Sequence, residues 1–429
     1  MAITGRVPLL LLLGLVPVVL RPGMGTVWLW LLAVLLLVLV DWALAPSPRA
    51  LEMTRRPPGT VRLGTPAVSE LALSTGGRTV RATVRDAWQP SAGAGANRHR
   101  VRITRDDGAL VSTPLLPVRR GDLRASGVTV RCVGPLGLAA RQATLDVPGT
   151  VRSLPPFDSR KHLPSRLARL RDLDGRSAVR VRGQGTEFDS LREYVRGDDV
   201  RSIDWRASAR NRSVVVRTWQ PERDRRVVLV LDTSRTSAGR VEDVPRIDSA
   251  MDVALLLAAL AARAGDRVDF VAGDRLVRSR LRTTGARDVA ATLQEAMADL
   301  EPVIAEADWT ALAGAVTTMG RQRALVVLLT PLEPTAIEEG LLPVLPTLIR
   351  HHRVVLASVQ DPALSAMAGR HSDAAEVYDA AAAQQVLAQR RRTADLLRTL
   401  GVDVVDAPAE ALPPALADHY LALKARGLL

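Results

Sequence analysis

The stretch that most constrains this chain is Val227-Val-Leu-Val-Leu231, an uninterrupted apolar run entered from Arg226 and left through Asp232-Thr-Ser-Arg-Thr-Ser237. A strand that is apolar at every position has no solvent face, and such strands belong to parallel sheets covered by helices on both sides. Asp232 therefore stands at a strand's carboxyl end, the edge at which open α/β sheets bind ligands. Ser234 and Thr236 follow it at alternate positions. One carboxylate and two hydroxyls on a short loop form a seat for a hard divalent cation such as Mg²⁺, which takes a few such oxygens and keeps some of its water. The simpler reading of the same residues is a capping loop, because Asp and Ser after a strand satisfy the N–H groups that open the next helix.

The rest of the C-terminal half continues the alternation. Apolar residues at helical spacing over 246–264 stop at Gly265-Asp266, 268–272 and 276–281 read as a short hairpin, 289–300 as a helix, and Trp309-Thr310 opens another. Strand 324–329, helix 335–349, strand 354–359, helix 380–399, strand 402–405 and helix 412–423 complete the series. Strand and helix in turn imply a doubly wound α/β domain over residues 226–429.

At the other end, residues 7–20 and 27–45 are apolar runs joined by Arg21-Pro-Gly-Met-Gly25. At 1.5 Å per residue the second reaches about 28 Å, close to the thickness of a bilayer's hydrocarbon core, and the first falls short of it. Trp28, Trp30 and Trp42 lie near the ends of the second run, as interfacial aromatics do. The expectation is a transmembrane helical hairpin over residues 1–46. A signal peptide ending near Leu20 is the rival, but no small-residue cleavage motif follows it. Arg6, Arg49, Arg55 and Arg56 flank the hairpin and Arg21 alone marks its turn, which puts both ends in the cytoplasm. The chain is then a multi-pass cell-membrane protein with two spans and its bulk cytoplasmic. Asp41, isolated and one turn from the end of the second run, is expected at the lipid boundary.

Between these ends the composition matters. The formal net charge of +13 is carried by arginine, with Lys161 and Lys424 the only lysines, and is compatible with anionic lipid, nucleic acid or an acidic partner. The single cysteine, Cys132, excludes an intrachain disulfide and reads as a small core residue. Residues 47–151 carry short alternating segments, such as 80–85 and 128–133, between Gly, Pro and Asp turns, the pattern of a β-sandwich-like module. Residues 152–225 form an Arg/Asp-rich connecting segment with one short helical piece at 164–172. Its Gly183 and Gly185 do not make a dinucleotide loop, since no strand precedes them. Carboxylates at Glu187, Asp189, Glu193, Asp198, Asp199 and Asp204 offset the neighbouring arginines. No nucleic-acid partner is therefore expected, and bidentate Arg–carboxylate pairs are expected to fasten the segment to the domain that follows.

Two resemblances enter on these residues. Asp232, Ser234 and Thr236 are similar to the first loop of the metal-ion-dependent adhesion site of von Willebrand factor A domains, and Thr310 to its second loop. At the third loop Thr330-Pro-Leu-Glu333 stands in place of Thr-Asp-Gly, leaving Glu333 as the available carboxylate. The resemblance implies a von Willebrand factor A-like α/β domain with Mg²⁺ or another divalent cation held by Asp232, Ser234, Thr236, Thr310 and Glu333. The set Glu187, Phe188, Arg192, Tyr194, Gly197, Asp198, Asp204, Trp205, Arg206 and Arg210 resembles the hallmark of a bacterial family known as domain of unknown function 58. Members of that family are typically membrane-anchored and encoded beside MoxR-type AAA+ ATPases, which implies such an ATPase as partner. The combined expectation is a membrane-anchored interaction or assembly protein and not an enzyme. Two other classes stand beside it: a metal-dependent hydrolase, for which His351, His352, His371 and His419 offer no recognisable base, and an arginine-rich binder of anionic surfaces.

Overall fold

The computed structural model describes residues 2–56, 58–180, 187–211, 213–220, 225–283, 288–320 and 322–429, with side chains described at all of these except 174–180, 187–190, 211 and 218–220. Gly183 and Gly185 lie outside the described residues. The chain divides into two units, Met1–Leu154 and Pro155–Leu429.

The first unit opens with a two-residue strand β1 (Ala2–Ile3) and helices α1 (Arg6–Leu13), α2 (Leu15–Leu20) and α3 (Met24–Leu44). Among the described helices one, beginning at Met24, is long and apolar enough to cross a membrane, whereas the stretch Arg6–Leu20 is shorter. Trp30 of α3 packs where Gly14 separates α1 from α2. A Cβ at Gly14 would fall 2.3 Å from the indole, so only glycine admits the ring there.

A β-sandwich follows, built from β2 (Leu51–Arg56), β3 (Thr60–Arg62), β4 (Ala67–Thr75), β5 (Val80–Trp88), β6 (Arg98–Ile103), β7 (Ala109–Leu115), β8 (Gly121–Val133), β9 (Ala139–Leu145) and β10 (Thr150–Leu154). One sheet runs β1-β9-β8-β10-β3 with β5 and β6 attached through β8, and the other runs β2-β4-β7. Every second residue of β4 and β5 is buried, as the alternation in sequence requires of strands with one wet face. Leu71, Leu73 and Val111 of the small sheet meet Val84, Val128, Val130 and Cys132 of the large one. Burial pushes the Cys132 thiol up to about 11, so it stays protonated and inert. Inside the sandwich Arg55 holds Asp86 with both guanidinium nitrogens, at 3.0 and 2.7 Å, while Trp88 Nε1 donates to the same carboxylate at 3.1 Å.

Asp41, near the end of α3, is held by protein. It is fully buried, and its two oxygens accept the backbone N–H groups of Leu136, Leu138 and Ala139, each at 2.7 Å. The carboxylate belongs to the turn between β8 and β9, which supplies the donors that lipid cannot.

The second unit begins with α4 (Leu163–Arg180), which docks on the α/β core through Leu170 and through Arg166 and Arg169, both bonded to Asp418. Next comes an antiparallel ribbon of β11 (Glu187–Glu193) and β12 (Val215–Gln220), whose connection includes the short helix α5 (Trp205–Asn211). The α/β body comprises β13 (Arg226–Asp232), a small ladder of β14 (Arg240–Val241) and β15 (Val244–Pro245), α6 (Arg246–Arg263), β16 (Arg267–Gly273), β17 (Val277–Arg282), α7 (Val289–Met297) and α8 (Trp309–Thr318). It continues through β18 (Leu325–Leu329), α9 (Leu345–Ile349), β19 (Arg353–Gln360), α10 (Pro362–Met367), α11 (Ala374–Thr399), β20 (Asp403–Pro408) and α12 (Leu412–Ala425).

The central sheet runs β17-β16-β13-β18-β19-β20 and is parallel except at the β16–β17 edge. All of β13 is buried. Val227, Leu229 and Leu231 face a core shared with α6, α7 and α12, whereas Val228 and Val230 face one shared with α8, α9 and α11. The apolar run is continuous because both faces are covered. Two helices differ from expectation. The stretch read as one helix over 335–349 is a π-helical turn, Ala336–Leu341, followed by α9, and α11 starts six residues before Ala380, where Asp373 caps it by accepting the N–H of Glu376.

Candidate functional site

Counting β13 as first, the sheet order is 3-2-1-4-5-6, so the switch point of the fold lies between β13 and β18. Leu231 pairs with Leu329, and the next residues along, Asp232 and Thr330, leave the sheet side by side. Thr330 Oγ1 donates to Asp232 Oδ2 at 2.7 Å, and Thr236 Oγ1 donates to the same oxygen at 3.2 Å. Asp232 Oδ1 accepts the N–H of Ser234 at 2.7 Å, and the Ser234 and Thr236 hydroxyls lie 3.0 Å apart. A capping role accounts for the Oδ1 bond alone. Oδ2 instead gathers hydroxyls from two loops about a hundred residues apart in sequence.

Asp232 is 1% exposed, and no basic side chain pairs with it among the described residues. Burial pushes its carboxyl above the ordinary value, and the hydrogen bonds of Thr330, Ser234 and Thr236 only partly oppose this. The cluster opens into a cavity of about 280 Å³ whose lining includes Trp309 and Glu339. At the rim Arg235 pairs with Glu306 at 2.6 Å, and the loop carrying Glu306 is pinned by bonds from Val303 N to Thr233 O and from Arg235 N to Ala305 O. Ile304, between the two pinned residues of this loop, is 90% exposed.

Of the residues expected to gather here, Asp232, Ser234 and Thr236 do so, whereas Thr310 and Glu333 do not. Thr310 is exposed in the first turn of α8, because the helix turns Trp309 toward the cavity. Glu333 instead accepts from Arg246 Nη1 at 2.8 Å. Thr330 takes the place that Glu333 was expected to fill. Its signal in sequence was its position as first residue after an apolar strand, which becomes informative once that strand is known to neighbour β13.

The donor chemistry fits a hard divalent cation. It consists of one carboxylate without a counter-charge and the hydroxyls of Ser234, Thr236 and Thr330, and no group of three or more His, Cys, Asp or Glu side chains suited to a metal occurs among the described residues. The histidines stand elsewhere. His351 and His352 precede β19 at the opposite, amino-terminal edge of the sheet, His352 buried with its pKa lowered by burial and then by the charges of Arg226 and His351. His419 lies 3.2 Å from Asp403, and His371 is exposed between α10 and α11.

The second motif builds the ribbon and lines no part of this cavity. Asp198 accepts from Arg192 at 2.6 Å and from Val195 N, and Gly197 turns the chain at φ 114°. Tyr194 N bonds Val214 O across the ribbon. Asp204 caps α5 by accepting from Arg206 N and Ala207 N, and it also holds Arg217. Among the described side chains of this motif the ion pairs close within the ribbon and its connection, because the matching charges are a few residues apart, whereas the pairs that reach the domain that follows are those of Arg166 and Arg169 with Asp418. Docking falls to α4. Trp205, Arg206 and Arg210 are exposed, and for Glu187 and Phe188 the structure describes the backbone, paired with Gln220 and Trp219.

Among solved structures, the chain is similar to the SpRpn10 VWA domain (12% identity, 46% of this chain and 94% of that one, TM-score 0.26). It is also similar to the conserved hypothetical protein BatB from Bacteroides thetaiotaomicron (11% identity, 46% and 98%, TM-score 0.26). The CARDB domain of the PF1109 protein from Pyrococcus furiosus, crystallised with di-metal ions, matches with 14% identity over 27% of this chain and 92% of that one, TM-score 0.19. Among curated proteins none matches the sequence. The strand order, with its antiparallel edge, carries the assignment of a von Willebrand factor A-like doubly wound domain. Residues 190–413, more than half of the chain, match one family along its length, and the protein belongs to that family, described as protein of unknown function DUF58.

Proposed function

We propose that this is a membrane-anchored interaction or assembly protein whose partner docks at the carboxyl edge of the central sheet, with a divalent cation held by Asp232, Ser234, Thr236 and Thr330. The observation that carries the reading is the buried, uncompensated Asp232 carboxylate drawn together with three hydroxyls from two loops at the switch point, open to a cavity. A bound cation would supply the missing positive charge and a coordination position for a carboxylate of the partner. Ile304, exposed two residues before Glu306 of the cavity lining, would offer a partner an apolar contact. The placing of His351 and His352 at the far edge of the sheet supports binding over hydrolysis, since a general base must reach the reacting proton.

The membrane hairpin is supported by the way its two ends meet. β1 pairs with β9, and Asp41 near the end of α3 grips the turn that leads into β9. Both ends of the 6–44 stretch therefore lie on one side, as two spans require, and the arginine distribution favours the cytoplasmic side. A MoxR-type AAA+ ATPase is the partner that the family resemblance suggests.

Calorimetry on the purified full chain tests the cation directly, with Mg²⁺ alone as the titrant. The wild type is expected to bind, and at a hundredfold excess over Kd to gain about 2.7 kcal/mol of stability. Asp232→Ala is expected to lose both effects while keeping its circular dichroism. Partner capture of equal strength with and without chelator would discard the cation while leaving the docking face.

A further inference from the structure

We infer that the connection between β11 and β12 is a second membrane contact, a surface that lies against anionic lipid headgroups. This stretch repeats an apolar residue followed by arginine at Val195-Arg196, Val200-Arg201 and Trp205-Arg206. The apolar members are 60%, 62% and 68% exposed, and no element among the described residues covers them. Large apolar side chains at such exposure, grouped within a dozen residues, mark a contact surface.

The charges select the occupant. Of the four acidic side chains between 191 and 210, Asp198 is held by Arg192 and Asp204 is taken up by Arg217 and the first turn of α5, whereas Asp199 accepts only Arg201 N and Glu193 is exposed in β11, so two exposed carboxylates face a larger number of arginines. Arg196, Arg201, Arg206 and Arg210 are exposed and make no ion pair among the described residues. What this stretch presents outward is thus cationic and apolar together. Guanidinium groups beside an exposed tryptophan match the headgroup layer, where arginine meets phosphate and the indole sits at the polar–apolar boundary. An acidic protein would match the charge equally well. The bilayer is favoured because the same chain carries a helix able to cross it, which keeps a lipid surface at high effective concentration. None of the described residues 191–217 lines the Asp232 cavity, so this contact is separate from the cation site.

Hydrogen exchange on the full chain in nanodiscs decides the matter. In discs of phosphatidylcholine with a third phosphatidylglycerol, amides of 195–206 are expected to exchange about tenfold more slowly than in phosphatidylcholine alone. The difference should vanish in high salt and in the double variant Arg201→Glu/Arg206→Glu. Trp205→Ser, a change at an exposed position, should reduce it. Equal rates in the two lipids would overturn the proposal. So would slowing in neutral discs that grows with protein concentration, which would assign the surface to a second copy of the chain, or slowing produced by inorganic phosphate alone.

Discussion

Asp41→Ala is expected to destabilise the N-terminal unit by about 3–6 kcal/mol, since each N–H left without its acceptor costs about 1–3 kcal/mol when buried. Three donors converge on this one carboxylate, and those of Leu138 and Ala139 are buried. The loss would be a large share of the roughly 5–15 kcal/mol that holds a domain folded. Asp41→Asn keeps a single acceptor oxygen and should lose less. Gly134 belongs to the same device. A Cβ there would lie 2.4 Å from Asp41 Oδ1, so Gly134→Ala should weaken the clamp without touching the carboxylate. Thermal unfolding of the full chain in nanodiscs measures all three, and an unchanged midpoint for Asp41→Ala would refute the clamp.

Asp86→Ala should cost a similar amount, about 3–5 kcal/mol, because it strands the Arg55 charge inside the sandwich. Arg55 and Asp86 side chains are 2% and 0% exposed, and the guanidinium also lies 5.0 Å from the Trp88 ring centre. The test that separates charge from packing is the double variant Arg55→Met/Asp86→Leu. It is expected to recover much of the loss, since apolar replacement of both partners removes the orphaned ion. The pair also sets a pH dependence. Burial raises the Asp86 carboxyl, but the hydrogen bonds of Arg55 and Trp88 and the charge of Arg55 outweigh it, and the net shift is downward. A carboxyl lowered by folding contributes stability above its unfolded pKa of about 3.9 and loses it as pH falls through the folded value. The wild type should therefore lose stability steeply below about pH 4, whereas the double variant should show a shallower acid limb.

These residues also show where sequence reasoning reached and where it stopped. The β13 strand was legible because burial on both faces leaves no polar position in Val227–Leu231, and its end placed Asp232 at the ligand edge without further information. Ser234 and Thr236 followed, being within one loop of it. Thr310 and Glu333 were chosen by analogy of loop position. A one-residue rotation at the start of α8 gives the cavity Trp309 instead, and Arg246, 87 positions away, takes Glu333.

Local pattern by itself determined the kinds of element, the apolar N-terminal span, the alternating strands of the sandwich and the wound α/β body, because periodicity records which faces meet water. It also supplied the carboxylate at the strand end. Only the tertiary structure decided which partners that carboxylate meets, since Thr330 reaches Asp232 through strand order alone. The same holds for Asp41, whose donors lie about a hundred residues further on, and for Glu333, which Arg246 takes from 87 positions away. The physical reason is common to all three. Hydrogen bonds and ion pairs are short-ranged, so their partners are fixed by which backbone segments the packing of the core sets side by side.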